Sequence, residues 1–146
     1  MYNSLSQYFG EVKDLSVKEV GDKIGGKVKL NIDNGTFQNA CAIRMSYAFN
    51  YSGKEIKKTD GAVSSGADKK WYLYRVNDFI KFLDANYSNK EETTNIATFQ
   101  GKKGVIVFKD CGWSDATGHV DLYDGYSVEG SDYSNVAKKM YLYKFN

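Results

Sequence analysis

The chain has 146 residues, with 20 Lys and Arg against 18 Asp and Glu, a net charge of +2. That length fills one hydrophobic core and not two, the interspersed signs lay down no basic stripe for a nucleic acid, and no run approaches the roughly 18 apolar residues of a membrane span. Two cysteines exclude a multiply bridged secreted scaffold, and a single histidine leaves no four-ligand Cys/His zinc site without carboxylates.

Residues 1–146 are therefore read as one domain. The N-terminal MYNSLSQYFGEVKDLSV lacks the apolar run of a secretory signal, so a protein made in the cytoplasm and exported by another route is expected. Leu5, Tyr8, Phe9 and Val12, then Val17, Val20 and Ile24, recur at helical spacing, and Gly25-Gly26 punctuates them. This predicts two short helices over residues 1–25. Asn34-Gly35 signals a turn. From Asn39 onward, Ala42, Ile43, Met45, Ala48 and Phe49 suit a mostly buried helix closed by Gly53.

Residues 54–70, KEIKKTDGAVSSGADKK, hold no sustained period and predict an exposed loop bordering any cleft. WYLYRVNDFIKFLDANY begins as a strand and continues as a helix with Val76, Phe79, Ile80 and Leu83 on one side, capped by Asn77 or Asp78. KEETT follows as a loop. Strands are then expected at GVIVFKD, GHVDLYDG, YSVEG and KKMYLYKF, with Gly104 to Phe108 central and Asp124-Gly125 a two-residue hairpin turn. Helices first and an antiparallel sheet after make the class α+β.

A thiol becomes a thiolate near neutral pH with help from a helix N-terminus and a nearby imidazole. Cys41 stands where the buried helix begins, and His119 lies in a strand far downstream, the order in which papain-like enzymes hold nucleophile and base. The bland readings are a small buried hydrophobe and a hydrogen-bonded strand histidine, and spacing does not separate them from chemistry. NACAIRMSYAFN followed by DATGHVDLYDG carries the argument further, because it resembles the type VI secretion amidase effectors of the fourth family. The likeness is close at both motifs, reasonable through GVIVF, and faint over residues 54–95.

The resemblance implies a papain-like fold of the NlpC/P60 type without a cofactor or metal. It implies a peptidoglycan amidase, cutting between D-glutamate and meso-diaminopimelate through a thioester. The enzyme would be injected into the periplasm of rival bacteria by the type VI secretion machinery and neutralised in the producer by a cognate immunity protein. Nucleic acid and membrane insertion play no part. Cys41 would attack, His119 would shuttle the proton, and the backbone N–H of Cys41 would hold the oxyanion. With a two-residue turn, position 130 faces His119, so Asp132 is a diagonal neighbour of the ring and is favoured as the orienting acid over Asp121, two residues along the same strand.

Arg44 is a candidate contact for a stem carboxylate, against a helix-packing ion pair. Ser46 reads as packing and Asn39 as a cap. Trp113 is a candidate cleft wall, against a place in the core. Cys111 is read outside the reaction and Cys41 as a free thiol. Two alternatives stay open: a cell-wall peptidase that is no effector, and an inactive binding module of the same fold.

Overall fold

Two helices occupy residues 1–25 as expected, and a third follows them, in the structure, a computed structural model that describes residues 1–113 and 118–145. α1 spans Tyr2–Phe9 and α2 Val17–Ile24, the latter opened by a reciprocal cap in which Ser16 and Glu19 bond each other's backbone N–H. The Gly25-Gly26 pair does not end the helical region. Both residues have positive φ (71° and 62°), and they reverse the chain into α3, Gly26–Asp33. A Cβ on Gly26 would lie 2.6 Å from the Gly66 carbonyl carbon, so the same glycine also permits close approach of a second segment.

α4, Cys41–Tyr51, is buried at every residue from Cys41 to Asn50 except Arg44. Polar side chains tie it down. Ser46 Oγ accepts from the Leu73 N–H at 3.0 Å, and Asn50 bonds the Trp71 carbonyl (2.8 Å) and the Ile56 N–H (2.8 Å). Ser46, expected to pack, is therefore a clip to strand β2, Trp71–Leu73. α5, Val76–Asn86, starts at Arg75 without a side-chain cap from Asn77 or Asp78, and its Phe79 and Phe82 meet Phe49 edge-on at 5.4 and 5.5 Å.

Residues 54–70 are less loop-like than their composition predicts. β1, Val63–Ser65, pairs with β2, the Ala67 N–H reaches the Ile24 carbonyl at 3.0 Å, and Asp68 accepts from Tyr51 and Tyr72 hydroxyls at 2.7 and 2.5 Å. These anchors lie far away in sequence, which is why no local period reports them.

The main sheet has the order β3-β6-β4-β5, antiparallel throughout, with β3 at Lys90–Thr93, β4 at Gly104–Lys109, β5 at Gly118–Tyr123 and β6 at Lys139–Lys144. β4 is interior, as its apolar run predicts. β3 was expected as loop; it is an exposed edge strand, where polar residues are favoured over alternation. YSVEG makes only the bridge Tyr123↔Val128, because Asp124 to Ser127 form a four-residue turn with the Asp124 N–H on the Ser127 carbonyl (3.1 Å). The expected two-residue hairpin is absent. Val105, Val107, Val120 and Leu122 face the helices, while Ile106, Phe108, Met140 and Leu142 form a second cluster with Phe99 on the other face.

Candidate active site

Cys41 is the first residue of α4, 4% exposed, and its N–H donates to Asn39 Oδ1 at 3.0 Å. The helix N-terminus places a partial positive charge at the sulfur. Both cysteines are free thiols.

His119 projects from the outermost strand of the sheet, against which α4 packs, so two residues remote in sequence meet around one edge. The imidazole is 14% exposed and has two polar partners. Nε2 lies 2.7 Å from Asp121 Oδ2, and the Cys41 thiol shares a cavity with the ring and interacts with it. Burial disfavours the imidazolium, but the Asp121 hydrogen bond and then the Cys41 contact outweigh it, raising the pKa from 6.5 to about 9.

Asp121 is 1% exposed. A carboxylate so buried is tolerable only when its lone pairs are met. Oδ1 accepts from the N–H groups of Leu122 (2.8 Å) and Gly130 (2.9 Å), and Oδ2 from that of Ser131 (2.9 Å) as well as meeting the imidazole. Gly130 is required for this cradle, since a Cβ there would lie 2.4 Å from Asp121 Oδ2.

The carboxylate on the ring thus belongs to Asp121, which corrects the preference for Asp132. Asp132 is exposed, its Oδ1 accepts from the Ser134 N–H at 2.7 Å, and it lines a separate surface hollow with Tyr123, Tyr126 and Ser127. The reason is register. The four-residue turn puts Val128 opposite Tyr123, and beyond it the chain presents amides, not a paired strand, to the edge of β5. Leaning back along its own strand, Asp121 needs no partner strand at all.

Arg44 is no helix-packing ion pair. Its Nη2 donates to the Leu15 carbonyl at 2.8 Å, and Nε is buried without a partner. Burial lowers its pKa against the opposing pull of Cys41 and Asp121. It lines a cavity of about 30 Å³ with Phe9, Cys41, His119 and Asp121, room for about one water. Trp113 stands edge-on to Tyr133 at 4.7 Å, and Tyr133 is edge-on to the His119 ring at 4.9 Å. Trp113 therefore reaches the site through Tyr133, which falls in a stretch without period and carries no signal in sequence. Residues 115–117 of the second motif lie outside the described residues. Among the described residues no group of three or more His, Cys, Asp or Glu is placed to hold a metal, and no helix is long and apolar enough to cross a membrane.

A cysteine at a helix N-terminus, facing an imidazole on the neighbouring sheet edge in an α+β fold, defines a papain-like cysteine hydrolase. The family model described as "Type VI secretion system (T6SS), amidase effector protein 4" matches residues 37–143. The effector in the Tae4–Tai4 effector-immunity complex from Salmonella Typhimurium is 39% identical, with a TM-score of 0.91 over 99% of this chain and 97% of that one. The corresponding complex from Enterobacter cloacae gives 36% identity and 0.90 over 99% and 98%, and the effector Tae4 of E. cloacae by itself 36% and 0.87 over 99% and 96%. No curated protein sequence matches. The chain belongs to the type VI secretion amidase effectors of family four. The likeness extends through residues 54–95, where sequence motifs alone carried it least.

Proposed function

We propose that this amidase effector hydrolyses the amide between D-glutamate and meso-diaminopimelate in peptidoglycan stems, with Cys41, His119 and Asp121 as its catalytic group. The observation that carries the reading is the gathering of thiol, imidazole and buried carboxylate around one cavity, with the carboxylate bonded to the ring. Asp121 holds the ring and stabilises the imidazolium, and the imidazolium in turn favours the thiolate. The thiolate attacks the scissile carbonyl, and its oxygen takes the place of Asn39 Oδ1 on the Cys41 N–H. His119 protonates the departing diaminopimelate nitrogen, and water, activated by the same ring, hydrolyses the thioester.

The target compartment is the periplasm of rival bacteria, where these stems are exposed. The partner in the producing cell is an immunity protein, as in the solved complexes of the relatives. The run Lys54 to Thr59, apart from buried Ile56, is the longest exposed stretch of the 54–70 segment open to such a partner.

Wild type and Cys41→Ala are incubated with Gram-negative sacculi under reducing conditions, and the released muropeptides are identified by mass spectrometry. Cleavage between D-glutamate and diaminopimelate, lost in the variant, is the expected result. An active variant removes Cys41 as nucleophile, and an inactive wild type favours the binding module.

A further inference from the structure

A groove of about 500 Å³ opens beside the nucleophile, lined by Thr36, Phe37, Gln38, Asn39, Tyr74 and Arg75. This is within the size range of small-ligand sites. Asn39 joins it to the reaction centre, because the side chain that lines the groove also accepts the Cys41 N–H. The floor is rigid: Phe37 and Tyr74 stack at 4.3 Å with 24° between their planes. The Arg75 guanidinium lies over the Tyr74 ring, 5.5 Å from its centroid, and pairs with no carboxylate among the described residues. Arg75 is the one charged residue of the lining, and no acid opposes it. Two residues on, Asn77 Oδ1 lies 3.3 Å from Lys109 Nζ, and Lys109 pairs across the sheet with Gly118, the neighbour of His119. The start of α5 is thereby held against the catalytic strand.

We propose that Arg75, braced on the Tyr74–Phe37 stack, binds a stem-peptide carboxylate next to the scissile amide and so sets the preference for an unamidated stem. The inference rests on the reaction proposed above. In a γ-linked D-glutamyl stem the α-carboxylate stays ionised close to the scissile carbonyl, and diaminopimelate carries another at the far, D-configured end of its side chain. A planar guanidinium fixed on a ring is suited to such a group, presenting two parallel N–H donors with little freedom left to lose. Arg44, the candidate from sequence, is instead turned inward to the Leu15 carbonyl.

The test compares wild type, Arg75→Gln and Arg75→Lys on three soluble stems: the free acid, the D-isoglutaminyl amide, and the stem amidated on diaminopimelate. Wild type is expected to prefer the free acid, and Arg75→Gln to raise its KM about 10-fold with kcat within about 2-fold, levelling that preference, with Arg75→Lys between. Loss of discrimination against the isoglutaminyl stem assigns the D-glutamate carboxylate; loss against the third stem assigns that of diaminopimelate. Wild type that cuts while Arg75→Gln keeps its KM, or shifts acid and amides alike, overturns the subsite alone. Wild type that cuts no stem overturns the reaction, and the subsite with it.

Discussion

Asp121 is nearly sealed from water, and three backbone N–H groups and an imidazole meet its oxygens. Replacing it by Asn puts a neutral amide where the imidazolium needs a negative charge, so Asp121→Asn should lower kcat about 10²-fold or more. Asp132→Asn should stay within about 2-fold, because Asp132 bonds only its own turn. Kinetics on soluble muropeptides with both variants decides between the carboxylates, and the reverse ranking would return the role to Asp132. Gly130→Ala drives a methyl against Oδ2 and should reduce activity strongly while Cys41 still reacts with iodoacetamide. His119 makes stability depend on pH. Its folded pKa of about 9 lies above the ordinary 6.5, so its contribution is complete below pH 6.5 and is lost as the pH rises through 9. The unfolding free energy read from urea melts should therefore fall between pH 6.5 and 9 by on the order of 2 kcal/mol, and His119→Gln should flatten that fall.

Between elements, the loop that cradles Asp121 is itself held from α1. Glu129 takes the hydroxyls of Tyr2 and, at 2.9 Å, Ser6, while its N–H bonds the Leu122 carbonyl at 2.8 Å. Burial, then Glu129, pushes the Tyr2 hydroxyl far above its ordinary pKa, so it remains a donor at any working pH. Tyr2→Phe with Ser6→Ala leaves that carboxylate without its two hydroxyl donors and should cost about 2–3 kcal/mol of stability. It should also lower kcat as the amides of residues 130 and 131 drift from Asp121. A chemical melt and steady-state kinetics on the same preparation test both effects, and unchanged kcat would show the cradle to be independent of α1. Residues 54–70 bear on the search for the immunity contact. Deleting Lys57 to Ala67 would remove β1 and the Ala67–Ile24 bond, so charge reversal at Lys57 and Lys58 is the cleaner probe.

At the scale of the molecule, Cys41 and His119 come from distant parts of the chain and meet where α4 packs on the outermost strand. The helix-facing cluster runs from Tyr2 to Phe145 without a break between helices and sheet. We expect urea to abolish activity, far-UV ellipticity and Trp fluorescence in one coincident transition. Separate midpoints would show two independent units instead of one domain.

What the sequence determined by itself was what local pattern encodes. The buried helix from Cys41, the interior strand Gly104 to Lys109 and the α+β order all rest on apolar periodicity, and the two motifs placed Cys41 and His119. The tertiary structure decided what depends on long-range pairing. β3 is polar because an edge strand faces water, and α3 follows a glycine pair that reads as a stop. The choice of Asp121 over Asp132 turned on hairpin register, which Asp124 set by accepting the N–H groups of Tyr126 and Ser127 and opening a four-residue turn. Arg44 was drawn inward because its face of α4 meets the loop after α1, and Arg75, the exposed residue that opens α5, was left at the groove. Distances of that kind belong to packing, and no residue's own neighbours in sequence record them.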